Sequence, residues 1–218
     1  MTGLAALLTL ADSRLPAGGH AHSGGAEEAC ALGLIHDEPS LEAFLARRLT
    51  TAGRVAASLA AASLAAAARR DPAAVAALDV EAEVRVPAPA LRKASRAQGR
   101  GLVRVGRQAW PDPVWDLLPP APHHPVALGV AAYAAGLSER DAATAAAYLS
   151  VSGPATAAQR LLGMDPMKVA AATARLAAAV DALAAAATAD RVPAAHTDPL
   201  LDLLAERHAT RRERYFAS

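Results

Sequence analysis

The chain has 218 residues and a formal net charge of +1; 53% of its residues are hydrophobic but only 3% aromatic. That length supports one domain with a sizeable core, and the near-neutral charge excludes a global field drawing it to nucleic acid or a membrane surface. A single cysteine, Cys30, excludes an intramolecular disulfide and a cysteine-rich metal site.

Most of the apolar count is alanine, which favours helix and buries little area per residue. The core must therefore come from closely approaching helices pinned by scattered Leu and Val. The longest uncharged stretch, 55–68, contains Ser58 and Ser63. It falls short of the roughly 18 apolar residues that suggest a membrane span. No membrane association is expected, and the expected compartment is the cytoplasm.

In chain order, Leu4–Ala11 has no basic residue before it and reads as a short helix rather than a secretion signal. A loop rich in glycine and proline follows, then a helix over 25–32 with Gly33 as its stop. Asp37 caps a long segment with Glu38 and Pro39 in its first turn. That segment runs toward Arg69 and Arg70, with a break expected near Gly53. Asp71-Pro72 repeats the cap-plus-proline start. The alternating stretch 80–86 has no partner strand and reads as helical or irregular. Pro87 and Pro89 open a helix over 90–109, and the proline-rich stretch 111–125 reads as a loop.

A helix over 124–135 precedes Gly136, and Ser138 through Asp141 forms a capping-box variant. The following helix meets Ser152-Gly153-Pro154, where a kink or restart is expected. Asp165-Pro166 opens a helix to about residue 187, and Asp198-Pro199 opens the last. The expectation is one all-α domain spanning 1–218, a bundle of about eight to ten helices, with a flexible N-terminal loop region and C-terminal tail.

Candidate chemistry is sparse. His20 and His22 lie two apart in the glycine-rich loop, and His-x-His can ligate nickel or zinc, but no further ligand is adjacent. His123 and His124 read as loop residues at a helix start. Ser23 beside His22 lacks the strand–turn–helix setting of a nucleophile. Glu27 and Glu28 fall in a first helical turn, where the helix dipole accounts for them. Gly18-Gly19 through Gly24 matches no nucleotide fingerprint. The residues give no catalytic constellation, so no enzyme activity, no cofactor and no metal site are expected.

Charge patterning is more informative. Arg92, Lys93, Arg96, Arg100, Arg104 and Arg107 have no acid between them, and four recur every fourth residue, forming a stripe on a helix. Nucleic acid would want stacking aromatics or an overall basic domain, so a protein partner or intramolecular acids suit the stripe better. The last helix carries Leu200, Leu201 and Leu204 as its packing face, with Arg207, Arg211, Arg212 and Arg214 at its end. Chain ends fray. With so few aromatics in the chain, Tyr215 and Phe216 there suggest an anchor for a partner pocket.

Three separated blocks resemble the UreF family of urease accessory proteins. The first runs through Asp12, Ser13, Leu15, Pro16, Gly18, Gly19, Ser23, Gly25 and Glu27. The second is the Arg-rich block from Arg92 to Arg104, with Gln98, Gly99 and Arg100 at its centre. The third spans Thr156 to Leu162, then Asp198-Pro199, Arg207-His208 and Tyr215-Phe216. Departures from the family pattern are His20 for Phe, Ala209 for Glu and Ala217 for Arg. The Ala- and Arg-rich composition suggests an actinobacterial member.

The resemblance implies an all-α, non-catalytic homodimer that binds a UreD/UreH-type accessory protein, recruits the GTPase UreG and acts on apo-urease during nickel insertion. It marks Pro16, Gly18, Gly19, His22, Ser23, Gly25, Arg96, Gln98, Arg100, Arg207, His208, Tyr215 and Phe216 as candidate partner-binding residues. Two other readings remain open at this level. One is a helical nucleic-acid-binding or regulatory protein using the basic stripe. The other is a metal-dependent hydrolase, should the loops of His20, His22, His123 and His124 converge.

Overall fold

Side-chain caps set five of the helix starts among the described residues. Asp37, Asp71, Asp165 and Asp198 each accept a backbone N–H one turn in, each followed by proline at the first or second helical position. Ser138 and Asp141 bond reciprocally as a capping box. Gly33, Gly136 and Gly163 end their helices at positive φ.

The computed structural model describes residues 3–12, 14–189, 193–196 and 198–218. Its helices are α1 (Leu4–Ala11), α2 (Ala26–Ala31), α3 (Glu38–Arg48), α4 (Arg54–Ala68), α5 (Pro72–Val84), α6 (Pro89–Ala109), α7 (His124–Ala134), α8 (Glu139–Leu162), α9 (Pro166–Arg175), α10 (Ala177–Ala189) and α11 (Pro199–Thr210). Short 3-10 turns cover Gly19–Ala21 and Pro113–Leu117. The chain is all-α, with no strand among the described residues.

Three junctions differ from the sequence expectation. The break near Gly53 is a π-helical stretch, Leu49–Gly53, through which α3 runs on into α4. Pro154 neither breaks nor restarts α8. The segment opened by Asp165-Pro166 is α9 followed by α10, with a turn at Leu176 between them. Ser13, one of the motif residues, lies outside the described residues.

The core sits where α4 packs on α7, α8 and α10. Alanine permits the close approach, and Gly129 of α7 permits more: a Cβ there would run into the Ala60 carbonyl and Ser63 of α4. Ile35, Leu41, Leu45, Leu102, Leu128 and Leu204 fill the space between helices and are fully buried. Trp115 packs the outer end of its ring against Gly106 of α6, its indole N–H donating to the Trp110 carbonyl at 2.9 Å.

Two helical stretches, Glu38–Ala68 and Pro166–Ala189 (α9 and α10 taken together), are long and apolar enough to cross a membrane by length and composition. The first is mostly buried as the core helix. The second is pinned to α3 by Arg175, which bonds Glu38 and Glu42, each at 2.6 Å.

Candidate functional site

The glycine-rich loop begins where Gly18 takes φ +85° and ends where Gly24 and Gly25 take φ +61° and +90°, a region L side chains rarely adopt. Those turns deliver α2 so that Glu27 and Glu28 point inward, only 3% and 2% exposed. Buried carboxylates need partners, and the C-terminal segment supplies them. Glu27 accepts from His208 Nε2 at 2.8 Å, from the Tyr215 N–H at 2.8 Å and from the Phe216 N–H at 3.0 Å. Glu28 accepts from Arg207 at 3.0 Å and Arg211 at 3.1 Å.

The last residues then lie along the loop itself. The Ala217 N–H donates to the Ala21 carbonyl at 2.7 Å, and Ser23 donates its N–H and hydroxyl to the Ser218 carbonyl at 2.5 and 2.9 Å. His22 Nδ1 meets the Ser218 hydroxyl at 2.7 Å. Phe216 is buried in the main core, with the Arg160 guanidinium 5.6 Å from its ring centre. Tyr215 points the other way and is 87% exposed.

The electrostatics follow from that geometry. Burial alone raises the Glu27 pKa, but the Tyr215, His208 and Phe216 donors together hold it below its ordinary value. Glu28 is likewise raised by burial and carried below its ordinary value by Arg207 and Arg211. Burial lowers the His22 pKa, and the neighbouring His20 lowers it further. Cys30 is an inert thiol, pushed up to about 11 by burial and by Glu27.

A second network lies behind the loop. Arg96 of α6 pairs with Glu83 at 2.6 Å and Asp79 at 3.1 Å, and donates to the Ala121 carbonyl at 2.6 Å. Arg92 bonds the Val86 and Pro87 carbonyls at 2.8 and 2.6 Å and pairs with Glu83 at 2.9 Å. His123 joins Ser95 at 3.0 Å to Glu83 at 2.7 Å. Ser95, His123 and Glu83 are the residue types of a hydrolytic triad. The Ser95 oxygen, however, also accepts the His124 N–H at 3.0 Å in the middle of a helix, so the trio fastens α6 to α5 and α7. Gly99 lets α6 touch the backbone at Pro122, and Gly101 lets it touch the loop at Ala17.

The UreF family model matches residues 35–177, more than half of the chain. A urease accessory protein UreF from Mycobacterium sp. (strain JLS) is 52% identical over 218 residues, covering all of both chains. One from Mycolicibacterium vanbaalenii is 51% identical over 222 residues, again complete on both sides. A third, from Mycobacterium tuberculosis (strain H37Rv), is 48% identical over 218 residues. The chain belongs to the UreF family of urease accessory proteins. It is thus an accessory protein rather than an enzyme, and its relatives are actinobacterial.

Among the described motif residues, the loop meets the tail at Ser23 and Ser218, the loop meets α6 at Ala17 and Gly101, and α8 meets the tail at Arg160 and Phe216. The tail, expected from the sequence to be flexible, is bonded to the loop and to α2, where buried Glu27 and Glu28 take its donors. His208, Phe216 and Ser23 are buried and serve this UreF-family chain internally, and Gly25 is buried where its turn delivers α2. Arg207 holds Glu28 while remaining largely exposed. Pro16, Gly19, Arg100 and Tyr215 are exposed, and Gln98 lines a cavity beside His124.

The basic stripe divides. Arg92, Arg96 and Arg107 pair with acids of the chain itself, while Arg100 and Arg104 stand exposed with no ion pair among the described residues. The hydrolase reading gains nothing: His123 is spent on Ser95 and Glu83, and no cluster of three metal-ligating side chains occurs among the described residues.

Sequence reasoning missed Glu27 and Glu28 as tail receptors, since acids at a helix start have a sufficient local explanation. It also missed Arg48, for which a signal existed. Pro154 has no N–H for the Ser150 carbonyl one turn back, and Arg48 donates to that carbonyl at 3.1 Å and to the Gly24 carbonyl at 2.5 Å.

Proposed function

We propose that this chain is a scaffold and co-chaperone in urease maturation. In this reading it acts in the cytoplasm as a homodimer, with a UreD/UreH-type accessory protein and the GTPase UreG, and enables nickel insertion into apo-urease. The observation that carries the reading is the full-length likeness, at about half identity, to proteins named urease accessory protein UreF. Nickel is cargo of the assembly here, and the chain needs no cofactor of its own.

Within this reading the candidate partner-binding residues divide into two roles. His208, Phe216, Ser23, Gly25, Arg207 and Arg96 shape the surface from inside, as their internal bonds and burial support. Pro16, Gly18, Gly19, His22, Gln98, Arg100 and Tyr215 present it to partners. The single test is expression of the urease operon in cells with and without this chain, reading urease activity and co-purified proteins. The expected result is inactive, nickel-poor urease without the chain, and recovery of UreD- and UreG-type proteins on the tagged chain. Full urease activity in its absence would overturn the proposal.

A further inference from the structure

A cavity of about 200 Å³ lies between α4, α6, the start of α7 and α11. Its walls are largely apolar, formed by Ala52, Val55, Leu59, Leu91, Ala94 and Leu201. Polar groups also line it, and the partners they have already taken narrow what the cavity can hold.

Arg48 is the first. Its Nε and Nη1 are taken by the Ser150 and Gly24 carbonyls at 3.1 and 2.5 Å, while Nη2 has no hydrogen-bond partner among the described residues. No carboxylate among those residues stands at ion-pair distance. Asp198, which also lines the cavity, is taken by Arg47 at 2.5 and 2.6 Å. His124 is the second. Its backbone N–H bonds Ser95 at 3.0 Å, and its ring has no partner among the described residues. Gln98 lines the same space.

Of the other lining groups, the Ser218 carbonyl accepts from Ser23, and Arg85 and Asp202 are also engaged. Arg85 bonds the Ala194 and Pro193 carbonyls and pairs with Glu81. Asp202 accepts the Ala88 N–H at the start of α6.

A part-buried guanidinium with an open donor edge, whose nearest carboxylate, Asp198, is already committed to Arg47, is relieved by an anion. The apolar walls call for an aliphatic body on that anion. A dianion such as phosphate would want a second cation and would be opposed by Asp198 and Asp202. We propose that this cavity binds a small aliphatic monocarboxylate. Its head bonds Arg48 Nη2, with His124 and Gln98 as neutral partners, and its chain lies along Val55, Leu59 and Ala94. The π-helical stretch Leu49–Gly53 directly follows Arg48 and places Ala52 on the same wall, and such stretches recur at binding sites.

The test is isothermal titration of the full chain with sodium hexanoate and, separately, 1-hexanol. Saturable hexanoate binding is expected, with hexanol weaker by about tenfold or more because it has no charge to offer Arg48. Ala94→Leu fills the apolar wall without touching the Arg48 bonds, and should weaken hexanoate binding by about tenfold or more while the circular dichroism stays helical. Absence of saturable hexanoate binding to folded wild-type chain overturns the proposal. So does equal affinity for hexanol, or a folded Ala94→Leu chain that binds hexanoate like wild type.

Discussion

At the scale of single residues, Glu27 governs the site. Among the described residues it is the one side chain that accepts from α11 and from two backbone N–H groups of the tail. Glu27→Gln keeps the shape but removes the charge that strengthens all three bonds, so a loss of about 1–3 kcal/mol is expected. Urea denaturation measures it, and faster trypsin cleavage at Arg212 and Arg214 shows that the tail has come loose. The pH dependence has a definite sign. The folded Glu27 pKa lies below its ordinary 4.5, so its contribution is complete above that value and disappears as pH falls through the lower, folded one.

His124 adds to acid lability over a different window. Burial, with some help from His22, lowers its pKa from 6.5 to about 4. The unfolded chain therefore binds a proton that the folded chain refuses, and stability falls as pH drops from 6.5 toward 4. His124→Gln should flatten the urea midpoint between pH 6.5 and 4.5; an unchanged slope would show that the ring takes up its proton freely. These roles were illegible in the sequence for a plain reason. Glu27 and His208 are 181 residues apart, and an acid in a first helical turn already has a local explanation.

At the scale of elements, the α4–α7 crossing depends on two small residues. Gly129→Ala would push a methyl into the Ala60 carbonyl and Ser63, and such overpacking costs about 1–3 kcal/mol. Ser63 lies opposite and behaves in reverse. Its hydroxyl is buried without a hydrogen-bond partner among the described residues. Ser63→Ala should therefore be neutral to stabilising, by up to about 1 kcal/mol. Differential scanning calorimetry of both variants should show opposite shifts, roughly 2–4 °C per kcal/mol at this chain length.

Four helix starts were legible because an aspartate before a proline is a local device, satisfied within four residues. The junctions were not, since tertiary partners decide them. Gly53 is kept helical where α8 presses Ser150 against it, and Pro154 stays in its helix because Arg48 satisfies the carbonyl that the proline leaves open. The candidate site was legible as a set of motif residues but not as inside and outside, because exposure of Tyr215 and burial of Phe216 follow from the path of the tail.

At the scale of the whole molecule, surface and core can be separated by mutation. Removing residues 213–218 strips Phe216 from the core and two donors from Glu27, so a loss of several kcal/mol is expected. Tyr215→Ala should leave the melting temperature unchanged, and in cells it should lower urease maturation. The basic stripe offers the same separation on one helix. Arg96→Glu would set a third acid against Asp79 and Glu83, of which Asp79 is nearly buried. The cost is a few kcal/mol, and a poorly folded chain is the expected result.

Arg100→Glu, one helical turn on, changes an exposed charge with no ion pair among the described residues and should fold as wild type. If Arg100 and Arg104 face an acidic partner surface, the double reversal Arg100→Glu with Arg104→Glu slows association several-fold at low salt and much less at high salt. Surface plasmon resonance against the UreG- and UreD-type proteins at two salt concentrations reads that difference. A folded double variant that associates at the wild-type rate under both conditions would leave these two arginines as solvated charge, and would confine partner recognition to the loop and Tyr215.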